Sequence, residues 1–200
     1  MLYQAIKRVT DVVGALVGLI LLLPVVPILG ALIKIESKGP IFVALPRVSR
    51  GRNIFIYKFR SMVPGAHAMK QSLMHLNERR DGPFFKMRHD PRLTRVGTFI
   101  RRFRIDEFPQ LWNVLTGDLS LVGPRPHEPK EITHYPERYR HLPQAKAGIT
   151  GISQVRGASG LPFLKELEFD DYYLTHQSMW LDTKILLRTF VIFLFDHNAV

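Results

Sequence analysis

The sequence predicts an α+β chain that is mostly helical and membrane-associated, with an N-terminal proline-kinked re-entrant membrane helix, a small β-hairpin element and interfacial amphipathic helices. Three observations carry this expectation. The segment from Val12 to Ile33, VVGALVGLILLLPVVPILGALI, contains no charged residue and exceeds the roughly 20 residues needed to cross a bilayer. Two runs rich in β-formers, Ile41 to Ala44 and Ile54 to Phe59, flank a Gly/Asn-containing turn, the pattern of a hairpin. Much of the remaining chain sets apolar residues at helical spacing.

Pro24 and Pro27 sit near the middle of the apolar segment. Each proline removes a backbone donor and crowds the carbonyl four residues back, so a helix there should bend sharply. Lys7 and Arg8 precede the segment and Lys34 and Lys38 follow it, and positive charge favours the cytoplasmic side. A bent helix entering and leaving on one face satisfies both flanks; a kinked spanning anchor is the competing reading. A cleaved signal peptide fits less well, because its apolar run is roughly 7–15 residues and ends in a small-x-small site.

After the hairpin, Ala66 to Arg79 has the composition of a helix. Thr94 to Arg104 predicts another, with Val96, Phe99, Ile100 and Phe103 on one side and arginines on the other. Pro109 suits the first turn of a third, which should bury Leu111, Trp112 and Leu115 and stop at Gly117. The stretch SLVGPRPHEP cannot be helical. A helix interrupted at Pro136 is expected from Glu131 to Arg140, and two more follow. The last, Trp180 to Phe195, is apolar on most of its surface yet carries Lys184 and Arg188, which suits the membrane interface; a core helix with two solvated charges is equally acceptable.

With 200 residues, 46% of them hydrophobic, the chain can build one domain with a real core. Its net charge of +11 points to a polyanionic partner: nucleic acid, an anionic membrane surface or a phosphate-bearing substrate. The absence of cysteine excludes disulfides, thiolate metal sites and a cysteine nucleophile. There is no internal repeat or low-complexity tract. A membrane-tethered nucleic-acid binder would account for the charge, but the stacking aromatics and basic stripes of the usual modules are missing, so no nucleic-acid partner is expected. A non-catalytic membrane scaffold is the other alternative.

The candidate chemistry lies in RIDEFPQLWNVLTGD, where Asp106 and Glu107 are adjacent. Alone they look like a helix start: an Asp N-cap, and a Glu that complements the dipole. The neighbourhood says more. Arg101, Arg102 and Arg104 lie just upstream and Arg125 lies downstream in Gly123-Pro124-Arg125-Pro126, and surplus cation implies an anionic ligand. The two prolines stiffen the segment that presents Arg125, whose guanidinium can grip a phosphate through two hydrogen bonds; a structural turn and a PxxP ligand are the alternatives. A carboxylate can attack phosphorus to give an acyl phosphate, with the phosphate oxygens neutralised by arginine and Mg²⁺. Asp106 and Glu107 can divide the nucleophile and metal duties. His127, His134 and His141 recur every seven residues, but prolines break any helix that would align them, so they are expected on the surface or in the core.

The chain resembles the bacterial sugar transferases, the monotopic phosphoglycosyl transferases that act on polyprenyl phosphate. The resemblance rests on KRVTDVVGA, IYKFRSM, DPRLTRVGTFIRRFRIDEFPQLWNVLTGDLSLVGPRP, AGITGISQV and LDTKILLRT, in that order. It implies transfer of a sugar-1-phosphate from a UDP-sugar to polyprenyl (undecaprenyl) phosphate with release of UMP, the first membrane step in assembling a surface or exported glycan. It casts Asp106 as covalent nucleophile, Glu107 as Mg²⁺ ligand with Asp106 beside it, Arg125 and Lys58 as phosphate-binding residues, and Pro24 and Pro27 as the kink of the re-entrant helix. Arg102 joins the expected substrate-binding set. The implied organisation is a membrane helix with its flanks over residues 1–38 and a catalytic domain over 39–200, resting on the cytoplasmic face of the bacterial inner membrane among its lipids. Leu45, Ser49 and Arg104 depart from the common family residues. Ala158 stands where many members have a nucleotide-contacting arginine, and Arg156, two positions earlier, is the expected substitute.

Overall fold

A computed structural model describes residues 2–157 and 160–195. Helix α1 (Leu2–Leu22) and helix α2 (Val25–Glu36) meet at an angle of 59°. The break falls at Leu23-Pro24. Pro24 caps α2, and Pro27 occupies its first turn, where a missing N–H costs nothing; one proline makes the bend and the other starts the new helix. Among the described residues no single helix is long and apolar enough to cross a membrane, while the bent pair passes that test together. At 1.5 Å per residue α2 is only about 18 Å long, well short of the roughly 30 Å hydrocarbon core.

The two helices are not a loose tether. Ala15 of α1 is buried with Ile54, Ile56, Val114, Leu119 and Ala147. Leu22, Leu29 and Ile33 share a second cluster with Phe59 and Ile100. Close approach depends on glycine: a Cβ on Gly14 or Gly18 would stand 2.6 Å from Leu121 or Leu111. Arg8 donates to the carbonyls of Val114 (2.7 Å) and Leu115 (2.8 Å), and buried Asp11 accepts from the Ser120 hydroxyl (2.6 Å) and the Leu121 N–H (2.9 Å). The opposite face leaves Val9, Val13, Val17, Ile20 and Leu21 exposed.

The hairpin pairs β1 (Phe42–Ser49) with β2 (Arg52–Phe59), from Phe42 opposite Phe59 to Ser49 opposite Arg52. β1 runs past the expected end at Ala44 through Pro46, because both strands of a two-stranded sheet are edges and Pro46 need not donate to the ladder. Arg50 and Gly51 turn with φ of 54° and 69°, the left-handed pair that matches hairpin twist. Ser49 binds the hairpin tip to the core, donating to the Asp118 carbonyl (2.7 Å) and accepting from the Ala147 N–H (3.1 Å).

The helix expected over Ala66 to Arg79 is shorter: α3 (Ala66–Ser72) is followed by a 3₁₀ turn (Met74–Leu76). Asn77 then takes the backbone for itself, donating to the Arg79 and Phe84 carbonyls and accepting from the Arg79 and Lys86 N–H groups, the competition by which Asn ends helices. Helix α4 (Arg95–Arg102) starts as expected, with the Thr94 hydroxyl accepting from Gly97 N–H. Its first two N–H groups are capped by the Glu36 carboxylate from the end of α2, at 2.6 and 2.9 Å. Helix α5 (Gln110–Thr116) ends at Gly117, φ 90°. It buries Gln110, Asn113 and Val114, with Leu111 and Leu115 partly covered, while Trp112 is 55% exposed. The expected burial of Trp112 is therefore corrected, because the helix turns its Asn113 face to the hairpin, where Asn113 bonds the Tyr57 N–H and the Phe55 carbonyl.

Strand β3 (Ser120–Val122) pairs in parallel with β4 (Gly148–Thr150). Between them Pro136 divides the expected helix into α6 (Pro129–Ile132) and a 3₁₀ turn (Glu137–Tyr139). Three helices follow: α7 (Ile152–Arg156), α8 (Phe163–Thr175) and α9 (Met179–Phe195). α9 buries only Asp182 and Ile185, leaving Trp180, Leu187, Phe190 and Val191 exposed. Asp182 ties it to α1, accepting from Lys7 (2.7 Å) and Tyr3 (3.1 Å).

Candidate active site

α4 leads into the acid pair through a single unusual residue. Arg104 adopts φ 53°, a left-handed conformation that costs a non-glycine residue about 1–2 kcal/mol. It turns the chain from α4 into a 3₁₀ turn, Ile105–Glu107, which carries both acids. The helix-cap expectation is thereby corrected: α5 begins three residues beyond Glu107, its cap position is Pro109, and no side chain caps it. Asp106 and Glu107 belong to a turn of their own.

Lys58 reaches this turn from β2. Its ammonium donates to Glu107 Oε1 at 2.5 Å and stands 4.0 Å from Asp106 Oδ2. Asp106 is only 6% exposed, whereas the Glu107 side chain keeps 37% of its surface. Their proton affinities diverge accordingly. Burial pushes the Asp106 carboxyl up to about 6, against Lys58 and Arg101 and with help from the charge of Glu107. Burial also opposes the charge of Glu107, but Lys58, Arg125 and Arg104 outweigh it and hold that carboxyl below its usual range. One acid is firmly ionised and its neighbour is poised near neutrality, as coupled carboxylates in catalytic sites commonly are.

Of the other residues expected from the sequence, Arg125 lies within electrostatic reach of Glu107. Its backbone N–H donates to Asp170 (3.0 Å) and its Nε stands 3.8 Å from Glu166 Oε1. Arg102 is exposed at the end of α4; the arginine of that helix that acts on Asp106 is Arg101, whose Nε donates to Ser61 (2.9 Å). Arg156 is exposed in the last turn of α7, and Ala158 lies outside the described residues. Three residues went unrecognised in the sequence. Arg47 of β1 is in electrostatic contact with both Arg125 and Glu107, and nothing local distinguishes it. Glu166 and Asp170, buried to 1% and 2% exposure, did leave a signal: two acids four apart in FLKELEFDDYY fall on one helical face among apolar residues.

His127 lies in the core, His134 and His141 on the surface, as expected. The described residues contain no cluster of three or more metal-ligating side chains. Asp106 and Glu107 offer two adjacent carboxylates at the site.

A family model described as bacterial sugar transferase matches residues 2–196. The chain belongs to the bacterial sugar transferase family. The chain is 38% identical to the UDP-galactose-lipid carrier transferase of Erwinia amylovora over 188 residues, covering 92% of this chain and 39% of that protein. It is 38% identical over 199 residues to the UDP-N-acetylgalactosamine-undecaprenyl-phosphate N-acetylgalactosaminephosphotransferase of Aeromonas hydrophila (94% and 43%). With the UDP-glucose:undecaprenyl-phosphate glucose-1-phosphate transferase of Xanthomonas campestris pv. campestris it shares 36% over 195 residues (92% and 38%). The chain thus spans less than half the length of these relatives, and their names carry three different sugars.

Proposed function

We propose that this chain transfers a sugar-1-phosphate from a UDP-sugar to polyprenyl phosphate, as a phosphoglycosyl transferase at the cytoplasmic face of the bacterial inner membrane. The observation that carries the proposal is the unequal acid pair: a buried Asp106 whose carboxyl is pushed up to about 6, beside a Glu107 held ionised by Lys58, with Arg125 and Arg104 close by. Family membership and the names of the three relatives support the substrate class.

In the proposed reaction an Asp106 oxygen bonds to the sugar-bearing phosphorus of the donor and the bond from that phosphorus to UMP breaks. UMP leaves with the electron pair. An oxygen of polyprenyl phosphate then attacks the same phosphorus, expelling the Asp106 carboxylate and giving the polyprenyl diphosphate sugar. Lys58, Arg125 and Arg47 supply the positive charge that lets two carboxylates meet a diphosphate. Burial keeps Asp106 poorly solvated and hence reactive once ionised.

Mg²⁺ is the proposed cofactor, and the donor set fits it: this ion takes one or two carboxylates and completes its shell with phosphate oxygens and water. Glu107, with Asp106 beside it, would hold it, and it would add charge neutralisation at the diphosphate. The exposed apolar faces of the bent α1–α2 pair and of α9 are proposed to lie in the lipid, with the pair re-entrant. Entry from one side brings the acid pair to a lipid-borne acceptor and leaves the nucleotide sugar in water.

The test is transfer from labelled UDP-sugars to polyprenyl phosphate in detergent, with mass spectrometry of the quenched enzyme. Asp106→Asn should abolish turnover while the protein stays in the membrane fraction, and a sugar-phosphate adduct should map to Asp106. An active Asp106→Asn enzyme would overturn the covalent route.

A further inference from the structure

Glu166 and Asp170 stand four residues apart on α8, and both meet the Gly123-Pro124-Arg125-Pro126 segment. Asp170 fixes the backbone of Arg125. Glu166 stands differently. Its Oε1 accepts from His127 Nε2 at 2.9 Å and lies 3.8 Å from Arg125 Nε; its Oε2, also buried, accepts no hydrogen bond and lies 3.8 Å from an Arg79 terminal nitrogen. A carboxylate only accepts, so His127 carries a proton on Nε2, and its Nδ1 is paired with the Tyr135 hydroxyl. Burial opposes the charge of Glu166, and the His127 bond, Arg125 and Arg79 keep it ionised nonetheless.

We propose that Glu166 is a positioning residue that holds the Nε end of the Arg125 guanidinium inward and so aims its terminal amino groups at the donor diphosphate. The two prolines fix the backbone of Arg125, but the side chain has four further torsions and is 36% exposed. A direct hydrogen bond would consume part of the guanidinium fork. At 3.8 Å the attraction orients the group while leaving its donors for phosphate. Arg79 balances the pull from the other oxygen and comes from the loop that Asn77 orders, so that loop and the Arg125 segment share one buried charge.

The inference rests on the proposed role of Arg125 as the phosphate clamp, and the experiment separates the two. Inorganic pyrophosphate binding to the purified protein in detergent is measured by calorimetry. Glu166→Gln keeps the shape and the acceptor for His127 but removes the charge; binding should weaken roughly tenfold, as when an outer partner that orients a ligating group is lost, and KM for the UDP-sugar should rise more than kcat falls. Glu166→Asp, which keeps the charge, should recover most of the loss. In an Arg125→Ala background Glu166→Gln should cost nothing further. Wild-type binding by Glu166→Gln, or a penalty that persists without Arg125, overturns the positioning role and leaves the clamp standing. Unchanged binding by Arg125→Ala removes the clamp and the inference with it. Should Glu166→Gln fail to fold, Arg79→Gln reads the same balance: Arg125 is drawn fully onto Glu166 and binding falls several-fold, and unchanged binding overturns the role.

Discussion

Lys58 bonds Glu107 at 2.5 Å and leaves Asp106 at 4.0 Å, so one ammonium divides two neighbouring carboxylates into an ionised partner and a reluctant one. The division comes from reach and burial: Glu107 extends to meet the cation at the surface, and Asp106 stays behind in the apolar interior.

A carboxyl whose folded value lies near 6, against 3.8 unfolded, weakens the fold when ionised. Below pH 4 both states hold the proton and there is no penalty; the penalty grows as pH rises to about 6 and is complete above it. Asp106→Asn carries none. It should be more stable than the wild type at pH 8, by about 2–3 kcal/mol, with the gain vanishing toward pH 4. Thermal unfolding across that range checks this, and a variant less stable at pH 8 would contradict it.

The rate should follow the same group. With the UDP-sugar well below its KM, kcat/KM for that donor should fall with unit slope as pH drops below about 6, where Asp106 of the free enzyme becomes protonated. Lys58 lowers the proton affinity of Asp106, so Lys58→Met should move the inflection to higher pH. The titration of the lipid phosphate would not move, which tells the two apart.

Cysteine-free protein makes topology simple to read. Gln4→Cys, at an exposed position on α1, should resist a membrane-impermeant thiol reagent in intact cells and react after permeabilisation. A Lys38→Cys variant beyond α2 should behave identically. Labelling of Gln4→Cys alone in intact cells would replace the re-entrant arrangement with a spanning one.

Asp11 gives α1 its polar contact with β3. Asp11→Ala strands the Ser120 hydroxyl and the Leu121 N–H, and should cost about 1–3 kcal/mol. Thr10→Ala, one residue away, removes only a bond to the Ile6 carbonyl and should change stability by less than about 0.5 kcal/mol. Unfolding in one detergent compares them.

The features legible in the sequence were those whose cause is local. Pro24 breaks a helix wherever it sits, Thr94 caps because its hydroxyl finds Gly97 three residues on, and the hairpin follows from two β-rich runs around a tight turn. The acid pair could be located but not placed. Its 3₁₀ turn depends on a left-handed Arg104, a conformation that glycine would announce and arginine conceals. The parallel pairing of Ser120 with Gly148 joins short segments far apart in the chain, and three-residue strands carry no periodicity. Arg47 reaches the site only because the hairpin folds over it, and Trp112 faces outward because Asn113 finds two backbone partners on β2.

The bolts along α1 have a mechanical meaning. Lys7 to Asp182, Arg8 to the end of α5, Asp11 to β3 and Ala15 in the core fasten the bent helix to the body of the fold, and Leu22, Leu29 and Ile33 share a cluster with Ile105 and Phe108 on either side of the acid pair. If the apolar faces of that helix sit in lipid as proposed, Asp106 would stand at a constant height above the bilayer, like a tool on a fixed arm. In that arrangement an acceptor phosphate would have to rise or tilt to that height on its own chain, and the proposal therefore expects reach, as much as charge, to decide which lipid carriers can be used.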